Sequence, residues 1–315
     1  MMEHTRRGWT LRKRLHRRQL MSTGLGVAAG LSLAQAGGLA PSAMAQDQGT
    51  PTANTANLSQ GVLPDHRLLL YYGFPGNENM GILGEYEPEE LLTHLEAEAE
   101  RYRAVDDSRP WKLGLELIAS VAQGAPQADN TYVADTDKKW LDSYTQFTKD
   151  NDLLLFLDVQ MGRREPKDDY AGLEPWLKED HVHLGIDPEF HMRDNEIPGQ
   201  EIGQVTAEEV TEAQNWLVDL AGKYGTTRKV LIVHQFHHTM IEDKDKIKPV
   251  NNVDLVIDED GWGPPEMKQE TYNVVITQEP IEYNGIKLFY KQDDPIMSAE
   301  DVLALDPVPD VVIYQ

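Results

Sequence analysis

Short apolar runs of strand length recur along the chain, separated by stretches whose apolar positions fall at helical spacing. The runs occupy residues 67–73, 112–118, 152–158, 182–187, 229–234, 253–258, 286–290 and 310–314. Several are apolar nearly throughout, as in Leu68-Leu69-Leu70-Tyr71-Tyr72 and Leu153-Leu154-Leu155-Phe156-Leu157. That pattern predicts strands covered on both faces, the condition of a parallel sheet.

The intervening stretches carry readable helix starts. Glu87-Pro88-Glu89-Glu90 places proline and acids in a first turn, predicting a helix to about Ala104. Thr206-Ala207-Glu208-Glu209 has the form of a capping box ahead of Val210, Ala213, Leu217 and Leu220, and Gly225 closes that face. Residues 135–148, 166–178, 265–276 and 298–305 fill most other gaps. Strand then helix, repeated through the chain, predicts a (β/α)8 barrel over residues 63–315, with no helix after the eighth strand. An open doubly wound sheet would allow the same alternation, but no glycine-rich phosphate loop follows any strand.

The amino terminus has a different character. Arg12, Lys13, Arg14, Arg17 and Arg18 precede a mildly apolar, Gly- and Ala-rich stretch ending at Ala43-Met44-Ala45, which reads as an export signal over residues 1–45. The segment His16-Arg17-Arg18-Gln19-Leu20-Met21 resembles the twin-arginine motif, which implies a twin-arginine translocase as a partner during export. Residues 46–62 are small, polar and turn-rich, the composition of a flexible tether. A secreted or cell-envelope location follows as the expectation, with no membrane insertion once the signal is removed.

Charge and cysteine content narrow the chemistry. The formal net charge is −24, and removing the basic leader makes the remainder more acidic still, which disfavours nucleic acid and anionic membrane as partners. The chain has no cysteine, so disulfides, thiolate ligands and cysteine nucleophiles are excluded. No G-x-S-x-G elbow and no H-E-x-x-H signature occurs.

In a barrel of this kind chemistry sits at the carboxyl ends of the strands. Those ends carry Tyr72 and Phe74, Glu116, Asp158 and Gln160, then Asp187, Glu189 and His191, then His234, Gln235, His237 and His238. They continue with Asp258, Glu259, Asp260 and Trp262, and with Lys291, Asp293 and Asp294. Glu259, His238, Asp293 and Asp294 read as ordinary loop residues meeting water. Asp187 and Glu189, on alternate positions with Pro188 between them, read as catalytic, and Asp258 and Asp260 repeat the spacing two strands on. Two carboxyl groups flanking a bond are what glycoside hydrolysis requires. In that reading Asp187, Glu189, Asp258 and Asp260 do the chemistry. Tyr72, Phe74, Glu116, Asp158, His191, His234, Gln235, Trp262 and Lys291 contact a carbohydrate substrate, and no cofactor is needed. The stretch Gly185-Ile186-Asp187-Pro188-Glu189 is similar to part of the D-G-x-D-x-D-x-E strand of family 18 chitinases, which implies a glycosidase-like barrel. His191 stands where that motif carries its terminal catalytic glutamate. Two alternatives remain open. One is a metal-dependent hydrolase using a divalent ion held by Asp187, Glu189, His191, His234, His237 and Asp258. The other is a barrel that binds carbohydrate without turning it over.

Overall fold

The computed structural model describes residues 60–315. The expected export signal, the twin-arginine-like motif and most of the expected tether lie outside the described residues. Eight parallel strands form the body: β1 (Arg67–Gly73), β2 (Trp111–Ala122), β3 (Leu154–Val159), β4 (Val182–Ile186), β5 (Lys229–Gln235), β6 (Val253–Glu259), β7 (Tyr283–Leu288) and β8 (Val311–Tyr314). Each pairs with the next in sequence, and β1 pairs with both β2 (Arg67 opposite Trp111) and β8 (Leu68 opposite Val311), so the sheet closes into a barrel. The (β/α)8 expectation is met.

Alternation explains why the strands are apolar on both faces. Leu68, Leu70, Phe156, Val230, Ile232, Val256 and Ile313 point inward and form one buried cluster. Leu69, Tyr71, Leu155, Leu157, Leu231, Val233 and Leu255 point outward and pack under the helices in another. Leu63 joins the inner cluster, and Arg228 donates from its backbone to the Gln60 carbonyl at 2.9 Å. The last residues assigned to the tether are therefore already part of the folded body.

The helical layer follows its start signals, with local adjustments. Helix α1 runs Pro88–Val105 and α2 runs Lys138–Asp150, capped by Asp137. The single helix expected over 166–178 is two short ones, α3 (Pro166–Ala171) and α4 (Glu174–Leu177), parted at Gly172. Helix α5 (Ala207–Tyr224) has the full capping box, and Gly225 ends it in the left-handed conformation with φ 68°. Helix α6 (Pro265–Tyr272) passes into a π-helical turn, Asn273–Thr277, and α7 is Ala299–Leu303. Among the described residues no helix follows β8, and none is long and apolar enough to cross a membrane.

The Thr206 hydroxyl accepts from the Glu209 amide at 3.1 Å, while the Glu209 carboxylate accepts from the Thr206 amide at 2.6 Å. Thr206→Ala should therefore lower stability by about 1 kcal/mol. Urea unfolding should show a lower midpoint with an unchanged slope; an unchanged midpoint would mean the cap contributes nothing.

Candidate functional site

Toward the carboxyl ends of the strands, the inward series changes from apolar to ionisable. Tyr72 follows Leu70 on β1, Asp158 follows Phe156 on β3, His234 follows Ile232 on β5, and Asp258 follows Val256 on β6. Glu116 on β2 and Lys287 on β7 share the same inward parity. All six are buried. The ring of His234 sits between two carboxylates: Nδ1 is 3.0 Å from Asp258 Oδ2 and Nε2 is 3.1 Å from Glu116 Oε1. Asp158 Oδ1 lies 3.9 Å from the same Nε2, and its other oxygen accepts from the Tyr72 hydroxyl at 2.9 Å. The Lys287 ammonium lies 3.3 Å from the centre of the Tyr72 ring.

Two glycines make room for this cluster. A Cβ at Gly185 would lie 2.8 Å from Glu116 Oε1 and 3.0 Å from Asp158 Oδ1, and one at Gly285 would lie 2.5 Å from Asp258 Oδ1. Any larger residue facing inward there would displace a carboxylate.

Burial governs the protonation of the cluster. It pushes Asp158 up to about 7, opposed by the charge of His234 and reinforced by Asp187 and Glu116. It also pushes Asp258 up to about 6, opposed by the hydrogen bond and charge of His234. For His234 itself burial pulls downward, but the Glu116 charge and the hydrogen bonds to Asp258 and Glu116 outweigh it and hold the imidazole well above its ordinary value. Tyr72 is raised well above the phenol range by burial and by Asp158, Asp187 and Glu116.

The strand-four acids are placed by a different device from the one the alternation implied. Strand β4 ends at Ile186, and Pro188–Phe190 form a 3-10 turn in which the Asp187 side chain accepts from the Glu189 amide at 3.3 Å. Pro188 has no N–H and cannot extend the ladder, so the acids stand on a capped turn and not on one strand face. Asp187 still acts on the cluster, since its charge raises both Asp158 and Tyr72. Glu189 is buried on the turn, with its carbonyl accepting from Gly203 at 2.7 Å. His191 Nδ1 donates to the Gln204 carbonyl at 2.7 Å.

The remaining candidates divide. Asp260, directly beyond β6, is buried and its charge raises Asp258. Phe74 and Trp262 are partly exposed beyond β1 and β6. Gln235 has the outward parity and accepts from Lys244 at 2.7 Å, so it does not join His234 inside the barrel. Lys291 is exposed and pairs with Glu85 at 2.8 Å, fastening one loop to another. Of the four residues read as ordinary loop positions, His238 and Asp294 are exposed, but Glu259 and Asp293 are buried. Glu259 pairs with the buried Lys268 of α6 at 3.2 Å, and Asp293 accepts from the Gly263 and Phe289 amides at 2.8 and 2.9 Å.

The sequence reading passed over Lys287 and Lys268. A lysine inside the apolar run 286–290 was the available signal for the first. The grouping expected for a metal is also revised. Among the described residues, the trio whose ligating atoms lie within 4.8 Å of one another is Glu116, Asp158 and His234. His237 is instead partly exposed, with Nδ1 2.8 Å from the Thr239 hydroxyl.

No family model matches the chain, and no curated protein matches its sequence. Among solved structures the chain is similar to a Bacillus subtilis mannanase, with 10% identity, 84% of this chain and 86% of that chain covered, and a TM-score of 0.38. The barrel assignment rests on the closed strand register.

The protonation pattern has a definite sign. Asp158 and Asp258 keep protons in the folded state that the unfolded chain releases above about pH 4, so their contribution to stability falls as pH rises toward 6 to 7. His234, raised, contributes fully below its unfolded value and loses that contribution as pH rises through its folded value, in the same direction. Unfolding free energies measured from pH 4.5 to 7.5, with chelator present, should decline less steeply for Asp158→Asn than for wild type. The difference should approach about 1.4 kcal/mol per pH unit for one proton. Parallel profiles would show that Asp158 does not hold this proton.

Proposed function

We propose that the protein is a hydrolase acting on a carbohydrate outside the cytoplasm, with carboxylate acid–base chemistry at the carboxyl-terminal mouth of the barrel. The reading is carried by one convergence. Asp187, after β4, and Asp258, at the end of β6, act on the same buried centre, Asp187 through its charge on Asp158 and Asp258 through its bond to His234. Acids that follow or end two strands on either side of β5 thus act on one buried centre, which supports a reading in which two carboxyl groups work together.

In this scheme Glu189 is the proton donor to the leaving oxygen and Asp187 its electrostatic partner. Asp258 is tied to His234, which makes it a positioning residue and leaves Asp260 as the opposing carboxylate. Phe74 and Trp262, partly exposed beside the mouth strands, offer faces on which sugar rings can stack. The twin-arginine-like leader fits delivery to the exterior in a folded state.

Glu189→Gln and Asp260→Asn should each reduce release of reducing ends from a responsive polysaccharide by at least about 100-fold, the usual contribution of a general acid or base. Both should retain the wild-type melting profile. The assay runs over a panel of neutral and acidic polysaccharides. Wild-type rates in Glu189→Gln would remove the assignment of the donor, and saccharide binding without turnover by the wild-type protein would replace hydrolysis with recognition.

A further inference from the structure

We infer that Glu116, Asp158 and the Nε2 atom of His234 form a binding site for one divalent first-row transition ion, with Asp258 orienting the imidazole from behind. The site does not rest on the carbohydrate reading, because cation binding is measurable with no substrate present.

Geometry is the first support. Nε2 is 3.1 Å from Glu116 Oε1 and 3.9 Å from Asp158 Oδ1, and the three ligating atoms lie within 4.8 Å of one another. An ion bound at about 2.0–2.2 Å brings such atoms to about 3–3.5 Å apart, so only small side-chain shifts are needed. The three residues come from β2, β3 and β5, so rigid strands aim them inward.

Unpartnered oxygen atoms supply the second, independent support. Glu116 Oε2 and Asp158 Oδ1 are buried, accept no hydrogen bond, and belong to side chains with no exposure. A buried carboxylate oxygen in that condition costs free energy unless a cation or donor meets it. Gly185 borders both residues, and a Cβ there would lie 3.0 Å from Asp158 Oδ1 and 2.8 Å from Glu116 Oε1. The glycine keeps that wall of the site clear.

Asp258 completes the arrangement. Its Oδ2 lies 3.0 Å from His234 Nδ1 and accepts the hydrogen bond from that nitrogen, so Nε2, which is hydrogen-bonded to Glu116, is the nitrogen that binds the ion once it gives up its proton. Such a carboxylate–histidine pair behind a metal fixes the tautomer and strengthens the ligand. Charge points the same way. Glu116, Asp158, Asp187 and Asp258 are set against the imidazole of His234 and the ammonium of Lys287, which lies over the Tyr72 ring. One imidazole and two carboxylates, in a chain with no cysteine, suit Mn2+ or Zn2+ better than Ca2+, which takes six to eight oxygens, or a thiophilic ion.

The purified protein is stripped with EDTA, dialysed into 150 mM salt to suppress loose binding to the acidic surface, and titrated with MnCl2. Calorimetry reports the heat, and the electron paramagnetic resonance signal reports free Mn2+; ZnCl2 is measured by competition. One equivalent should bind and raise the melting temperature. Glu116→Gln should weaken binding at least 10-fold, and Asp258→Asn, which keeps all three ligands, should weaken it by about 10- to 100-fold. Asp168→Asn, an exposed acid, should change neither. Absence of a stoichiometric site, or equal affinities in wild type, Glu116→Gln and Asp258→Asn, would overturn the inference. Hydrolysis that persists without a bound ion would remove the ion from the chemistry and leave the carbohydrate reading standing.

Discussion

His234 is the residue on which the upper barrel depends. It stands on β5 and bonds Asp258 on the adjacent β6, but its other nitrogen reaches Glu116 on β2, which does not pair with β5 in the sheet. One imidazole therefore ties together strands that the hydrogen-bond ladder does not join. Tyr72, Asp158 and Lys287 are among the groups that surround it. Burying so many charges is costly, and it is tolerable only while each has a partner across the barrel. Loss of one partner strands the rest, which makes this layer a constraint on the whole mouth and not a local detail.

A second buried network stands outside the first and shares a strand with it. Lys268 on α6 pairs with Glu259, donates to the Gly261 carbonyl, and donates to the Lys287 carbonyl at 2.6 Å. It thereby fixes the segment carrying Asp260 and Trp262 to the backbone of the residue whose ammonium faces Tyr72. Burial pushes Glu259 up to about 8, against the pull of Lys268. The loop beyond β6 is thus held by buried charge on the helix side while Asp258 is held by His234 on the barrel side. The two carboxylates that share the spacing Asp-x-Asp have different surroundings for that reason.

Most of the architecture was legible because it depends on local pattern. Runs such as Leu68 to Tyr72 declare a strand buried on both faces, and Thr206 with Glu209 declares a helix start, without knowledge of anything distant. The site was legible only as far as parity carried. Inward positions follow from alternation, so Asp158, His234 and Asp258 could be placed once the strands were known. Alternation failed at Asp187-Pro188-Glu189, where proline ended the ladder and a capped turn took over. It also could not show that Glu259 would be covered, because its partner Lys268 arrives from a helix packed against the sheet. Glu116 and His234 are 118 residues apart, and their contact exists only after the barrel closes.

The two ends of the barrel interior differ in how their buried charges are met. The amino-terminal end also buries ionisable groups, but there a basic side chain stands beside the acidic one. Arg228 pairs with Asp254 at 2.8 Å and donates to the Leu63 carbonyl at 2.5 Å, and Leu63 belongs to the inner apolar cluster. His183 accepts from the Val230 amide at 3.1 Å, and burial holds its imidazole well below the ordinary value, so it stays neutral. Arg228 and Asp254 form a one-to-one pair there, and the neutral His183 adds no charge. At the carboxyl-terminal end carboxylates outnumber their cationic partners, and glycines at 185 and 285 hold space beside them. An imbalance of that kind destabilises a fold that has nothing to bind. It becomes useful where a proton, a cation or a polar ligand completes the set, and that is the physical difference between the closed end of this barrel and its mouth.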